Sequence, residues 1–202
     1  MSKLAGISLI GVGATGAVGL GAYLIKSKSS PSFSQKIDTN KRVILDAKGD
    51  FHNTVWTQIV EEYKQKGNIA GIPKDSKVQE NLKKYCLENK DATFSSTEKF
   101  EQYLNYCTRE NLMTKLPTTQ RAWNTSKEES KWATAETSYK ALTDSSDDKG
   151  LLIPKDNGNI EKGQITKQDI MKHCESISSK PFINTTDADY KRGEKWCLIT
   201  NG

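Results

Sequence analysis

Histidine is almost missing from this chain: of 202 residues only His52 and His173 carry an imidazole. Neither has a second ligand at metal-binding spacing, so zinc sites built on paired histidines find no support. No HExxH, GxSxG, Walker A or GxGxxG pattern occurs, which removes the sequence basis for zincin, α/β-hydrolase, P-loop and dinucleotide chemistry. His173 adjoins Cys174, but neighbours on a helix point about 100° apart and seldom meet as a nucleophilic pair. A packing position beside a disulfide is the expected role. The sequence also lacks any run of five or six basic residues and any glycine-aromatic RNA-binding signature. Its 30 basic and 25 acidic residues are interleaved, so the net charge of +5 reads as solubility, with no nucleic acid as partner. The acidic stretches DSSDDKG at 144–150 and KDNGN at 155–159 evoke a calcium loop. The glycine register fails and no Glu closes a twelve-residue loop, so a solvated loop is expected. No catalytic, cofactor-binding or metal-binding residue is expected, and no cofactor. The Asn124 and Asn184 glycosylation-type triplets fall at predicted helix caps, where a capping role is expected.

What the sequence does contain begins at its start. Between Leu4 and Ile25 it reads LAGISLIGVGATGAVGLGAYLI, uncharged, with Ser8 and Thr15 its only polar side chains. As a helix this run is about 33 Å long, enough for a hydrocarbon core of about 30 Å. A cleaved signal peptide needs only about 7–15 apolar residues. The run exceeds that, and Tyr23 suits an interface, so an uncleaved single-pass anchor over residues 1–26 is expected. Gly13, Ala17 and Gly21 form a small-xxx-small ridge through which two copies could self-associate. Lys3 with the terminal amine roughly balances Lys26 and Lys28, so charge leaves the orientation open. Four cysteines, none in a CxxC pair, read as structural disulfides in an oxidising space, against buried free thiols in a cytosolic domain. The expectation is a cell-membrane protein with its soluble domain extracytoplasmic.

Residues 27–50 read as a Ser/Lys-rich linker with one short extended patch, Val43-Ile44-Leu45. Helical periodicity follows. Val55, Trp56, Ile59, Val60 and Tyr63 share one face, ended by Gly67. Ser76 with Gln79 forms a capping box ahead of Leu82 and Cys86, and Ser95 with Glu98 another ahead of Tyr103 and Cys107. Ser126 with Glu129, Thr166 with Asp169 and Thr186 with Asp189 open three more helices, carrying Trp132 and Tyr139, Ile170 and Cys174, and Trp196 and Cys197.

These segments repeat. WTQIVEEYK at 56–64 matches WATAETSYK at 132–140, LKKYC at 82–86 matches IMKHC at 170–174, and YLNYC at 103–107 matches GEKWC at 193–197. The fold expected is therefore mainly α: a transmembrane helix followed by two small, similar three-helix modules. These are assigned to 51–117 and to 118–202, the second carrying a polar insert at 144–164. A solenoid of long repeats is the alternative. Each module alone is small for a hydrophobic core, and a disulfide compensates by about 2–4 kcal/mol. Four cysteines allow three connectivities, of which Cys86–Cys107 with Cys174–Cys197 gives each module its own.

The MSKLAG start, the Gly/Ala-rich anchor ending in Tyr-Leu-Ile, the Ser/Lys linker, the Trp-x6-Tyr helices and the spaced single cysteines resemble a known group. They are similar to the uncharacterised paralogous membrane-anchored surface proteins of haemotropic mollicutes. The resemblance implies the surface of a wall-less bacterium, antigenic variation among paralogues, and a host surface or serum molecule as partner. It supplies no catalytic residue. The function expected is that of a non-enzymatic interaction or antigenic module, with an extracytoplasmic hydrolase built on a non-contiguous carboxylate site as the alternative.

Overall fold

Five apolar side chains at helical spacing build the first long helix, α1 (Asn53–Lys66): Val55, Trp56, Ile59, Val60 and Tyr63 are all buried. It stops at Gly67, where any Cβ would be driven into the Tyr63 ring. The structure is a computed structural model that describes residues 30–156 and 158–200. From Ser32 onward the described chain clusters as one compact unit. Two more helices, α2 (Val78–Asn89) and α3 (Thr97–Cys107), complete the first helical trio. A short α4 (Leu112–Lys115) leads to the second half. There α5 (Ala133–Lys140) follows a 3-10 turn over Glu129–Trp132, the small α6 (Ser146–Lys149) lies in the insert, and α7 (Lys167–Ser178) and α8 (Ala188–Trp196) close the chain. The protein is mainly α-helical.

Among the described residues there are three two-stranded antiparallel sheets. β1 (Arg42–Ile44) pairs with β2 (Thr108–Glu110), and β3 (Arg121–Trp123) with β6 (Leu198–Thr200). A hairpin of β4 (Pro154–Lys155) and β5 (Gly158–Asn159) sits in the insert.

The correspondence between the two halves reaches further than the helices. Leu45 N–H bonds to Cys107 O at 3.0 Å, and Asn124 N–H to Cys197 O at 2.7 Å. The Arg42 guanidinium reaches Leu104 O at 3.0 Å and that of Arg121 reaches Glu194 O at 2.8 Å, in each case the carbonyl three residues before the cysteine. Phe33 N–H bonds to Ala92 O, and Leu112 N–H to Lys180 O. The Ser32–Thr93 bridge has its counterpart in Asn111–Pro181. One constant offset relates Ser32 to Asn111, Phe33 to Leu112, Ile37 to Leu116, Arg42 to Arg121 and Leu45 to Asn124. Each module thus opens with a short helical turn and a strand, runs through three helices, and ends on the strand that pairs back.

Two cores follow the same division. One gathers Phe33, Ile37 and Leu45 with the α1–α3 faces; the other gathers Leu112, Leu116 and Trp123 with those of α5, α7 and α8. The segment expected to be linker, 27–50, therefore supplies core residues from Phe33 onward. Leu112 and Leu116, placed in module 1 by the 51–117 boundary, pack in the second core. The insert 144–164 is not wholly solvated either, because Ile153 and Ile160 are buried. They are held by Tyr139, whose hydroxyl accepts from Ile153 N–H at 2.9 Å and donates to Ile160 O at 2.8 Å. Tyr63 does the same for the first module, accepting from Ile69 N–H at 3.1 Å and donating to Ile72 O at 3.0 Å.

Capping follows the sequence in one place and departs from it in four. Thr166 with Asp169 forms the full box at α7. At α3 the cap is Ser96, not Ser95, and at α8 it is Asp187, not Thr186. The Ser76 box is absent; Asp75 accepts from Lys77 N–H instead. Ser126 caps no helix, since the chain enters α5 through the 3-10 turn, with Ser126 Oγ accepting from Glu128 N–H.

Among the described residues no helix is long and apolar enough to cross a membrane. The anchor expected between Leu4 and Ile25, with its Gly13, Ala17 and Gly21 ridge, lies outside the described residues.

Candidate functional site

Cys107 and Cys197 stand at the ends of α3 and α8, Cys86 and Cys174 lie about one turn from the ends of α2 and α7, and the helix pairs bring them together. Cys86 is joined to Cys107 and Cys174 to Cys197, with Cα separations of 5.4 and 5.5 Å. No cysteine is free among the described residues. The aromatic side chain before the second cysteine packs on the helix tyrosine in both modules: Tyr106 on Tyr63 at 5.1 Å, Trp196 on Tyr139 at 5.3 Å between ring centres. The indole N–H groups of Trp56 and Trp132 donate to Asp46 O and Ser126 O. Trp56 and Tyr63 on α1, Trp132 just before α5 and Tyr139 near the end of α5 are all core, not a binding stripe.

The histidines are singular rather than paired between modules. His52 is buried, and its Nδ1 accepts from Asp46 N–H at 2.7 Å. Burial lowers its pKa, with the Asp46 carboxylate opposing. His173 takes the place of Tyr85, and its Nε2 is buried with no hydrogen-bond partner. Burial lowers its pKa to about 4, Asp189 opposing and Arg192 and Lys180 assisting. Neither imidazole lies in a metal set: no group of three or more His, Cys, Asp or Glu residues could hold an ion among the described residues.

Two of the concavities bear on a site. The smaller, about 480 Å³, lies at the seam between the modules, lined by Val43, Val55, Leu112, Pro181 and Ile183. Its carboxylates are engaged. Asp187 caps α8, and Asp189 pairs with Lys180 at 2.6 Å and Arg192 at 3.2 Å. The larger, about 820 Å³, is cut into the second module alone, between α5, α8 and the β3–β6 sheet. Arg121, Lys131, Lys191 and Lys195 line it, against two carboxylates, Asp147 and Glu194.

At the corresponding place in the first module there is a salt bridge. Arg109, 10 % exposed, holds Glu62 at 2.6 Å and Asn105 O at 2.7 Å. Their counterparts in the second module are Ile199 and Ser138, both at the cleft. Sequence reasoning missed the cleft and this ion pair. The visible signal was Arg-Val-Ile at 42–44 against Arg-Ala-Trp at 121–123, whose shared arginine extends the repeat into the strands.

No family model, curated protein or solved structure matches the chain, so the functional reading rests on its own geometry.

Proposed function

We propose that the chain is a membrane-tethered, extracytoplasmic interaction protein, its duplicated stapled module a scaffold that presents divergent surfaces to a host surface or serum molecule. One observation carries this reading: the apolar core and its staples repeat, and several polar groups do not. Trp56 and Trp132, Tyr63 and Tyr139, Leu82 and Ile170, and the two disulfides occupy matching buried places. By contrast His52, the Arg109–Glu62 pair and the lysine-lined cleft each belong to one module only. A repeated active site would repeat its polar groups; a repeated scaffold repeats only its core. Disulfides inside small modules suit an oxidising space outside the cytoplasm.

The hydrolase alternative has less to stand on. Of the carboxylates at the seam, Asp187 is spent on a cap and Asp189 on cations. The test is saturable binding of the purified full chain to host cells or immobilised serum proteins, competed by unlabelled protein. Surface labelling of intact bacterial cells runs alongside. Saturable, competed binding and labelled lysines are expected. Binding that never saturates, or protection of every lysine on intact cells, contradicts the reading.

A further inference from the structure

The seam between the modules is made by an extended segment. Residues 180–184 lie against the first module: Phe182 N–H bonds to Glu110 O at 2.8 Å, and Asn184 Nδ2 reaches Gln58 Oε1 at 3.3 Å. Ile183 packs on the first core, and Val55 lines the same seam. The equivalents of Val55, Gln58 and Glu110 in the second module are Lys131, Thr134 and Thr200, and all three line the 820 Å³ cleft. The face that receives a peptide segment in the first module is therefore open in the second.

It is also reshaped. Gln58, Ile59 and Glu62 are replaced by the smaller Thr134, Ala135 and Ser138, which widens the space. Val55 and Asn105 are replaced by Lys131 and Lys195, which changes its charge. Among the described residues no ion pair includes Lys131, Lys191 or Lys195. Lys195 lies over the Trp196 ring, 5.8 Å from its centre.

We propose that this cleft binds an extended acidic peptide segment of a partner protein, laid beside Thr200 at the end of β6 as residues 180–184 lie beside Glu110 at the end of β2. Edge addition supplies backbone hydrogen bonds, the lysines select charge, and the small side chains of α5 make room for the peptide's own. A second copy of this chain is a poorer occupant. Its matching segment has Ser95 where Ile183 packs and is followed by acidic and basic residues alike, Glu98, Lys99 and Glu101.

The proposal rests on the reading of the domain as an interaction module and names the chemistry of its partner. The probe is a fluorescent peptide, acetyl-Asp-Pro-Phe-Ile-Glu-amide, titrated into the purified full chain, with acetyl-Lys-Pro-Phe-Ile-Lys-amide and a heparin fragment as comparisons. The acidic peptide should bind saturably and weaken roughly tenfold between about 50 and 200 mM salt. Lys131→Glu with Lys195→Glu should weaken it by a similar factor without changing the melting temperature, since both side chains are exposed. A second variant, Thr134→Gln with Ser138→Glu and Ile199→Arg, rebuilds the first module's filling and should abolish binding. Equal binding of the two peptides, tighter binding of heparin, or full binding by the filled variant would overturn the proposal. So would loss of host-cell binding in neither variant, an outcome that leaves the broader function standing while moving its partner to another face.

Discussion

At the residue scale, the two hydroxyls of Tyr63 and Tyr139 carry more than their share. Each closes a buried turn by accepting one backbone N–H and donating to one carbonyl. Removing the hydroxyl leaves both backbone groups dry and unpaired, which costs about 1–3 kcal/mol. Tyr63→Phe and Tyr139→Phe should each lower stability by that amount in urea melts, although phenylalanine fits the space. His173 sets a pH dependence. Its pKa is about 4 in the folded chain against 6.5 unfolded, so the unfolded chain takes the proton first. The stability involved is complete above about pH 6.5 and drains as pH falls towards 4, by about 2–3 kcal/mol. His52, also lowered by burial, adds loss in the same direction. His173→Tyr, which installs the residue found at Tyr85, should flatten the acid limb of a stability-against-pH curve. An unchanged limb would show that the imidazole is solvated when folded.

At the scale of elements, the modules reach equal packing with unequal pieces. Ile44 and Tyr103 in the first correspond to Trp123 and Gly193 in the second, a large residue moved from helix to strand. Gly193 is buried in α8, and a Cβ there would stand 2.7 Å from Leu116 Cδ1 and 3.6 Å from the Trp123 ring. Gly193→Ala gains about 1 kcal/mol in helix propensity but overpacks at about 1–3 kcal/mol. A net loss near 1 kcal/mol is expected. With Leu116→Ala added, the double variant should cost less than the sum of the singles; additive losses would deny the contact. The same scale explains what the sequence made legible. Long amphipathic stretches such as 53–66 declare themselves, because five apolar residues keep one period. The strands at 42–44 and 121–123 are three residues each, too short for a period to show. Caps slipped by one residue where two eligible side chains stand together, Ser95 with Ser96 and Thr186 with Asp187. Local chemistry permits either, and the packed helix selects one.

At the scale of the whole molecule, the duplication was legible through Trp, Tyr and Cys, while its true extent was not. Phe33 and Ile37 stand in a Ser- and Lys-rich stretch that reads as linker. The ring partners of Phe33, which are Phe94, Phe100 and Tyr103, come from far along the chain. The cleft was hidden for a related reason: it is defined by what Thr134 and Ser138 lack relative to Gln58 and Glu62, which matters only once the two modules are superposed. Each disulfide closes a short loop and should contribute about 3 kcal/mol. Because both partners act as a unit, Cys174→Ser and Cys197→Ser should destabilise alike, and the double variant little more than either. The pairing also supports the proposed extracytoplasmic placement, since disulfides form and persist chiefly where thiols are oxidised. Non-reducing peptide mapping of the protein alkylated in its native cells tests both at once. Peptides linked as Cys86–Cys107 and Cys174–Cys197, with no alkylated cysteine, are the result expected; four alkylated thiols, or a bond from Cys86 or Cys107 into the second module, would contradict the account.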